Sequence, residues 1–444
     1  MRRACFLLLL CALLLTGCTK VPEPAPTPEV STQPTPAAMP EPTPTPTPTL
    51  TPEPAPEPTP EPTPEEFVIS FVGDCTLASD QRKKGTDRAF EKIVGEDYAF
   101  PFAETAEYFE NDYLSIANME GTFTTSERSN GGTFTFKSDA RYAQVFSESG
   151  IELVVLGNNH SMDYGEKGAQ DTKDALEDAG VCYADEDGTF VYQQDDGLAV
   201  GVYSKLYPAE ADVRRGVKAL KDAGAELIVA ALHWGVEGSY RPTADQRSVG
   251  HAAIDAGADI VYGCHPHVLQ KVEEYGGGMI LNSLGNWSFG GNTAPRDRDT
   301  AIIQITAVRD VDGSVSLGAM ELIPCELSSE PSFNNYQPHP YDPDSAEYAR
   351  VMSKLDGTFT GPDLAVDYSA FHGNGEGAGP GTEPVESGEG EQPAVPEQGE
   401  GTEPPPESGG EAVEIPVEPA PGVQPEAPPE PAAPVEPVAP PAEE

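Results

Sequence analysis

Apolar runs of β-strand length, each broken off at a side chain of metal-binding type, recur through the middle of this 444-residue chain. Phe67 to Gly73 ends at Asp74, Tyr113 to Ala117 leads into Asn118-Met119-Glu120, and Ile151 to Leu156 leads into Gly157-Asn158-Asn159-His160. Glu226 to Leu232 ends at His233-Trp234-Gly235, and Asp259 to Tyr262 runs into Gly263-Cys264-His265-Pro266-His267. Strands of an α/β sheet that deliver Asp, Glu, Asn or His at their carboxyl ends gather those side chains into one crevice. The pattern predicts an α/β fold with a metal site at the edge of its sheets.

Helical patterns alternate with these strands. Gln170 to Ala179 ends at Gly180, Val213 to Ala223 at Gly224, and Ala244 to Ala256 at Gly257. A glycine in that place is the expected left-handed cap. Strand and helix in alternation argue for a layered domain with much parallel pairing. Thr300 to Val308 and Ser314 to Ile323 flank Asp310-Val311-Asp312-Gly313, which reads as a hairpin, so the sheets are expected to be mixed.

The flanks are of another kind. Arg2 and Arg3 precede an apolar run from Phe6 to Leu15, too short to span a bilayer, as in an export signal. It closes on Leu15-Thr16-Gly17-Cys18, which resembles the lipobox of bacterial lipoproteins. Residues 1–18 are therefore expected to be a lipoprotein signal peptide. Lipidated Cys18 would then hold the chain to the outer face of the bacterial membrane, since an acylated and diacylated cysteine carries enough chains to anchor stably. Residues 19–66 are Pro-Thr-Glu repetition and read as a disordered stalk, with a fully extended reach of about 140 Å in polyproline geometry. Residues 373–444, rich in Pro, Glu and Gly, read as a disordered acidic tail.

With 74 acidic against 26 basic side chains the net charge is −48, which disfavours nucleic acid as a partner. Cys75, Cys182, Cys264 and Cys325 show no paired close spacing, so no disulfide framework is legible. Cys75 and Cys264 stand beside proposed ligands, either as thiolates for a soft metal or as small buried apolar residues.

Taken together and in order, the motifs are specific. Gly73-Asp74, Asn118-Met119-Glu120, Asn159-His160-Ser161-Met162-Asp163-Tyr164-Gly165, His233-Trp234-Gly235-Val236-Glu237, Gly263-Cys264-His265-Pro266-His267-Val268 and Ser283-Leu284-Gly285-Asn286 follow one another through the chain. In this the chain resembles CapA-type poly-γ-glutamate capsule biosynthesis proteins, of the calcineurin-like metallophosphoesterase superfamily. The resemblance covers residues 67–360. It implies a calcineurin-like layered α/β sandwich with mixed β-sheets, holding two divalent ions (Mn, Fe or Zn) on Asp74, Glu120, Asn159, His233, His265 and His267, with Glu120 as the bridge. An oxygen- and imidazole-rich donor set suits those metals.

If two ions are bound, the expected reaction is in-line displacement at phosphorus. His160 would give a proton to the leaving group, oriented by Asp163, although Asp163-Tyr164-Gly165 reads equally as a turn cap. Trp234, Glu237, Arg241 and Asn286 are expected to line the substrate groove, Arg241 through its guanidinium fork or else as a surface ion pair. Two departures mark the resemblance. Thr76 stands where the superfamily has the histidine of Asp-x-His, and Asn118-Met119-Glu120 stands where it has Gly-Asp. The expectation is a surface lipoprotein that hydrolyses a phosphoester in capsule synthesis. The alternative is a metal-binding accessory, without catalysis, of a membrane poly-γ-glutamate synthase, or a module that binds the polymer itself. An acidic domain suits a polyanion only where bound metal supplies positive charge.

Overall fold

The computed structural model describes residues 63–364. The expected signal peptide, Cys18, almost all of the stalk and the acidic tail lie outside the described residues.

Two large sheets build the described domain, with a small third one of Thr122–Phe123 and Lys137–Ser138. In the first, the strands run His339–Pro340, Val315–Glu326, Asp299–Arg309, Glu65–Thr76, Leu114–Met119, Leu153–Val155 and Cys182–Ala184, with Asn286–Phe289 also paired to Glu65–Thr76. In the second they run Val272–Tyr275, Gly278–Leu281, Ile260–Cys264, Leu227–His233, Val200–Leu206 and Gly188–Tyr192. Both are mixed. Glu65–Thr76 is parallel to Leu114–Met119 and antiparallel to Asp299–Arg309, and the hairpin expected around Asp310 to Gly313 is the pairing of Asp299–Arg309 with Val315–Glu326.

The period of two explains why the runs are apolar throughout. Leu227, Val229 and Ala231 face the space between the sheets, where they meet Ile69, Phe71, Leu114 and Ile116 of the first sheet. Their neighbours Ile228, Ala230 and Leu232 point the other way, onto the helices Glu210–Asp222 and Ala244–Ala256. A strand covered on both faces has no polar face to show. The first sheet is covered likewise by Gly165–Ala179, Gln144–Glu148 and the 3₁₀ turn Phe100–Tyr108. The result is a helix, sheet, sheet, helix sandwich. Gly180 and Gly257 cap their helices in the left-handed conformation, whereas Glu210–Asp222 ends on Ala223 in right-handed geometry and turns at Gly224.

Consequences for the site follow from strand direction. Glu65–Thr76, Leu114–Met119 and Leu153–Val155 run parallel in one sheet, and Val200–Leu206, Leu227–His233 and Ile260–Cys264 run parallel in the other. Their carboxyl ends open at one rim of the sandwich. No helix among the described residues is long and apolar enough to cross a membrane.

Candidate metal centre

Asp74 is placed by backbone contact. Its N–H donates to the Gly285 carbonyl at 2.9 Å, and a Cβ at Gly73 would lie only 2.3 Å from that oxygen, so the approach requires glycine at position 73. One carboxylate oxygen of Asp74 accepts from Asn118 Nδ2 (2.8 Å); the other accepts from the His265 N–H (3.3 Å) and faces His267 Nδ1 at 3.1 Å.

Glu120 follows the end of the adjacent strand, its N–H bonded to the Cys75 carbonyl at 2.9 Å. Its carboxylate is 0 % exposed, and neither oxygen has a hydrogen-bond partner. Around Oε1 stand three imidazole nitrogens: His233 Nε2 at 3.6 Å, His267 Nε2 at 3.8 Å and His160 Nε2 at 4.0 Å. Burial pushes the Glu120 carboxyl up to about 8, although His267 and His160 pull the other way. At His267 burial favours the neutral ring, but the carboxylates of Glu120 and Asp74 outweigh it and push the imidazole up to about 10.

Asn159 and His233 face each other, Oδ1 to Nε2, at 2.7 Å. Burial, with His265 and His267 nearby, holds His233 well below the usual histidine range; His265 is likewise lowered, to about 4, by burial and by His267. His265 Nδ1 is buried without a partner. Asp74, Glu120 and His267 form one group able to hold an ion, and Glu237, His265 and His267 a second, each offering ligand atoms within 4.8 Å of one another.

These residues fit a divalent cation. A fully buried carboxylate with both oxygens unpartnered costs several kcal/mol, and a bound cation offsets that cost. The neighbouring thiols stay out of the donor set. Neither Cys75 nor Cys264 belongs to the groups of candidate ligand atoms, and burial pushes both thiols far above the usual range, in line with the small buried residue that the sequence allowed.

His160 lies beside this cluster. Its Nδ1 is 2.9 Å from Asp163 Oδ2, which also accepts the Phe136 N–H at 2.7 Å, and the Phe136 ring meets the imidazole edge-on at 4.6 Å. Burial opposes the charged ring, but Asp163 and Glu120 prevail and raise the His160 pKa. A groove of about 620 Å³ opens from His160 and His267 over an apolar floor of Phe136 and Phe289, with Arg82, Lys83 and Arg296 among its lining.

The four expected groove residues divide. Glu237 and Asn286 line the groove, and Asn286 also buttresses His267, its Oδ1 2.9 Å from Nδ1. Trp234 does not. It is 3 % exposed, packs in the helix-covered core and donates its indole N–H to the Asn282 carbonyl at 2.9 Å. Being next to His233 on an extended backbone, it must point to the opposite side. Arg241 is also off the groove. Its guanidinium is tied to Asp363 (2.8 Å) and to the Gly361 carbonyl (3.0 Å), the surface ion pair of the two readings.

Sequence reasoning passed over Asn158, Asn118 and Tyr207. Asn158 donates to Asn118 Oδ1 at 3.0 Å and to the Met119 carbonyl at 2.8 Å, which ties the histidine-bearing loop to the Glu120 strand. The available signals were the doubled asparagine of Asn158-Asn159 and the asparagine that opens Asn118-Met119-Glu120. Tyr207 has none in the sequence. It joins His265 and His267 as non-glycine residues in left-handed geometry (φ +42°, +98° and +56°). Strain of about 1–3 kcal/mol per residue gathered in this way is characteristic of functional sites.

Comparison with known proteins agrees with the motif order. A family described as "Bacterial capsule synthesis protein PGA_cap" matches residues 68–290. The chain is 29 % identical over 282 residues to a capsule biosynthesis protein CapA of Bacillus anthracis, covering 55 % of this chain and 66 % of that one. It is 26 % identical over 313 residues to the PGA biosynthesis protein CapA of Bacillus subtilis, covering 64 % and 77 %. A probable polyglutamine synthesis accessory protein of Mycobacterium tuberculosis is 22 % identical over 290 residues, covering 55 % and 76 %. The chain thus spans just under two thirds of the Bacillus anthracis relative. Among solved structures, the NAD nucleotidase of Haemophilus influenzae aligns with a TM-score of 0.36 at 12 % identity, over 66 % of this chain and 56 % of that one, too remote a likeness to carry an argument.

Proposed function

The chain belongs to the bacterial capsule synthesis protein family PGA_cap, and from that premise we propose that it is a metal-dependent hydrolase of phosphoester type acting in poly-γ-glutamate capsule synthesis. The observation that carries this reading is the Glu120 carboxylate, fully buried, without a hydrogen-bond partner and centred among three imidazoles and Asp74. Asp74, Glu120 and His267 would hold one ion, and Asn159, His233 and His265, with Glu237 close by, would hold a second. Divalent ions bound there supply Lewis-acid polarisation of the phosphoryl oxygens.

The chain's own residues do the rest. His160, whose pKa Asp163 and Glu120 raise, would give its Nε2 proton to the departing oxygen, and Asp163 holds the ring in place through Nδ1. Phe136 and Phe289 exclude water from the floor of the groove, which strengthens each electrostatic contact above it. Arg82, Lys83 and Arg296 share the lining with Asp80, Glu237 and Asp297, so that bound metal would supply the positive charge for an anionic substrate. Lipidation at Cys18 would place this site outside the membrane, near a capsule synthase.

The test is hydrolysis of a chromogenic phosphodiester with added Mn²⁺, wild type beside His265→Ala. Metal-dependent turnover in the wild type alone supports the proposal; equal rates in both overturn catalysis. A second reading, metal-assisted binding of poly-γ-glutamate without hydrolysis, is supported by the likeness to the PGA biosynthesis protein CapA of Bacillus subtilis. It predicts that polymer retention is lost on chelation.

A further inference from the structure

Tyr207 stands directly after the strand Val200–Leu206, whose last residue is in register with His233. Its backbone is left-handed at φ +42°, a genuine outlier for so bulky a side chain. Burial of the ring does not account for this, because Tyr207 is 57 % exposed. What the conformation achieves is contact with the site. The Tyr207 N–H donates to the His233 carbonyl at 2.9 Å, and the ring meets His265 edge-on, centroids 5.5 Å apart and planes at 86°. Its hydroxyl then lies 3.3 Å from His265 Nε2.

The two nitrogens of His265 are therefore in different situations. Nε2 faces the tyrosine, while Nδ1 is buried and has no partner. A neutral imidazole carries one proton, and the nitrogen without it supplies the lone pair. We propose that Tyr207 is the positioning residue of His265: its phenol oxygen accepts Nε2–H and so fixes the tautomer and ring orientation that present Nδ1 to a divalent cation. Partners of this kind on a ligating histidine orient the ring and raise its basicity. The inference rests on the metal-centre reading above and adds a residue to it.

The experiment uses the full chain, stripped of metal by chelation and titrated with Mn²⁺ by calorimetry. A parallel Co²⁺ titration is followed by visible absorption. Tyr207→Phe keeps the edge-on ring and removes only the hydroxyl. The expected result is a 10- to 100-fold loss of affinity for one ion. An altered Co²⁺ spectrum and an unchanged thermal midpoint of the metal-free protein should accompany it. Tyr207→Gly, which adopts φ +42° without strain, should show the same metal defect. Wild-type affinity and spectrum in Tyr207→Phe overturn the proposal. So does a lowered metal-free midpoint with intact metal binding in Tyr207→Gly, which marks a packing residue. Failure of the underlying reading is distinguishable, because the wild type itself would then take up no ion, and both inferences fall.

Discussion

Replacing Glu120 with glutamine separates what this carboxyl does for the fold from what it does for a cation. In the metal-free native chain its pKa is about 8, pushed up by burial, against 4.5 for the unperturbed group. Folding at pH 7 therefore takes up a proton, at a cost of roughly 3 kcal/mol. The sign follows from the raised native value. The cost is absent below pH 4.5, grows as pH rises, and levels off above pH 8 at on the order of 5 kcal/mol. Glutamine never ionises and copies the shape of the protonated acid. Metal-free Glu120→Gln should accordingly match the wild type near pH 4 and exceed it by about 3 kcal/mol at pH 7. With Mn²⁺ at a hundredfold over its dissociation constant the wild type gains about 2.7 kcal/mol per ion and the variant none, which cancels or reverses the order. Urea denaturation at several pH values, with and without Mn²⁺, measures both effects. A metal-free variant less stable than the wild type at pH 8, or a difference that does not grow with pH, would refute the reasoning.

Three further substitutions probe the surroundings. Lys354 is 3 % exposed and bonds both Asp297 oxygens (2.9 and 2.7 Å) and Asp299 (2.7 Å). Lys354→Met removes this buried cation but leaves Asp299 with Arg350 and Asp297 with the Tyr240 hydroxyl, and should cost about 1–3 kcal/mol in urea denaturation. Gly73→Ala forces a methyl onto the Gly285 carbonyl and should cost about 1–3 kcal/mol or more while weakening Mn²⁺ binding, read by the same titration. Arg241→Ala removes an exposed ion pair with Asp363 and should change stability by at most about 1 kcal/mol. It should also leave KM unchanged for any phosphodiester the protein hydrolyses; a tenfold rise would return Arg241 to the substrate groove.

What the sequence discloses is set by how the fold uses its strands. Leu227–His233 is buried on both faces and is apolar up to His233, and between Phe67 and Gly73 only Ser70 interrupts the apolar run, so that His233 and Asp74 mark where each chain segment reaches the rim. Asp74, Glu120 and His233 were legible for that reason. The side on which a residue lands is harder to read. Trp234 looks like a groove wall because it adjoins His233, yet the period of two sends it into the core. Long-range partners leave no local trace. Arg241 meets Asp363 across 122 positions, and Lys354 meets Asp297 and Asp299 across 57 and 55. Tyr207 is visible only once its φ angle and its distance from His265 are known.

The most direct test of the account is the metal content of the purified protein, by elemental analysis, beside Asp74→Asn and His265→Ala. Close to two divalent ions per chain in the wild type, reduced in both variants while the fold persists, is the predicted result. A folded wild type that holds no ion in the presence of Mn²⁺, Fe²⁺ or Zn²⁺ would contradict it.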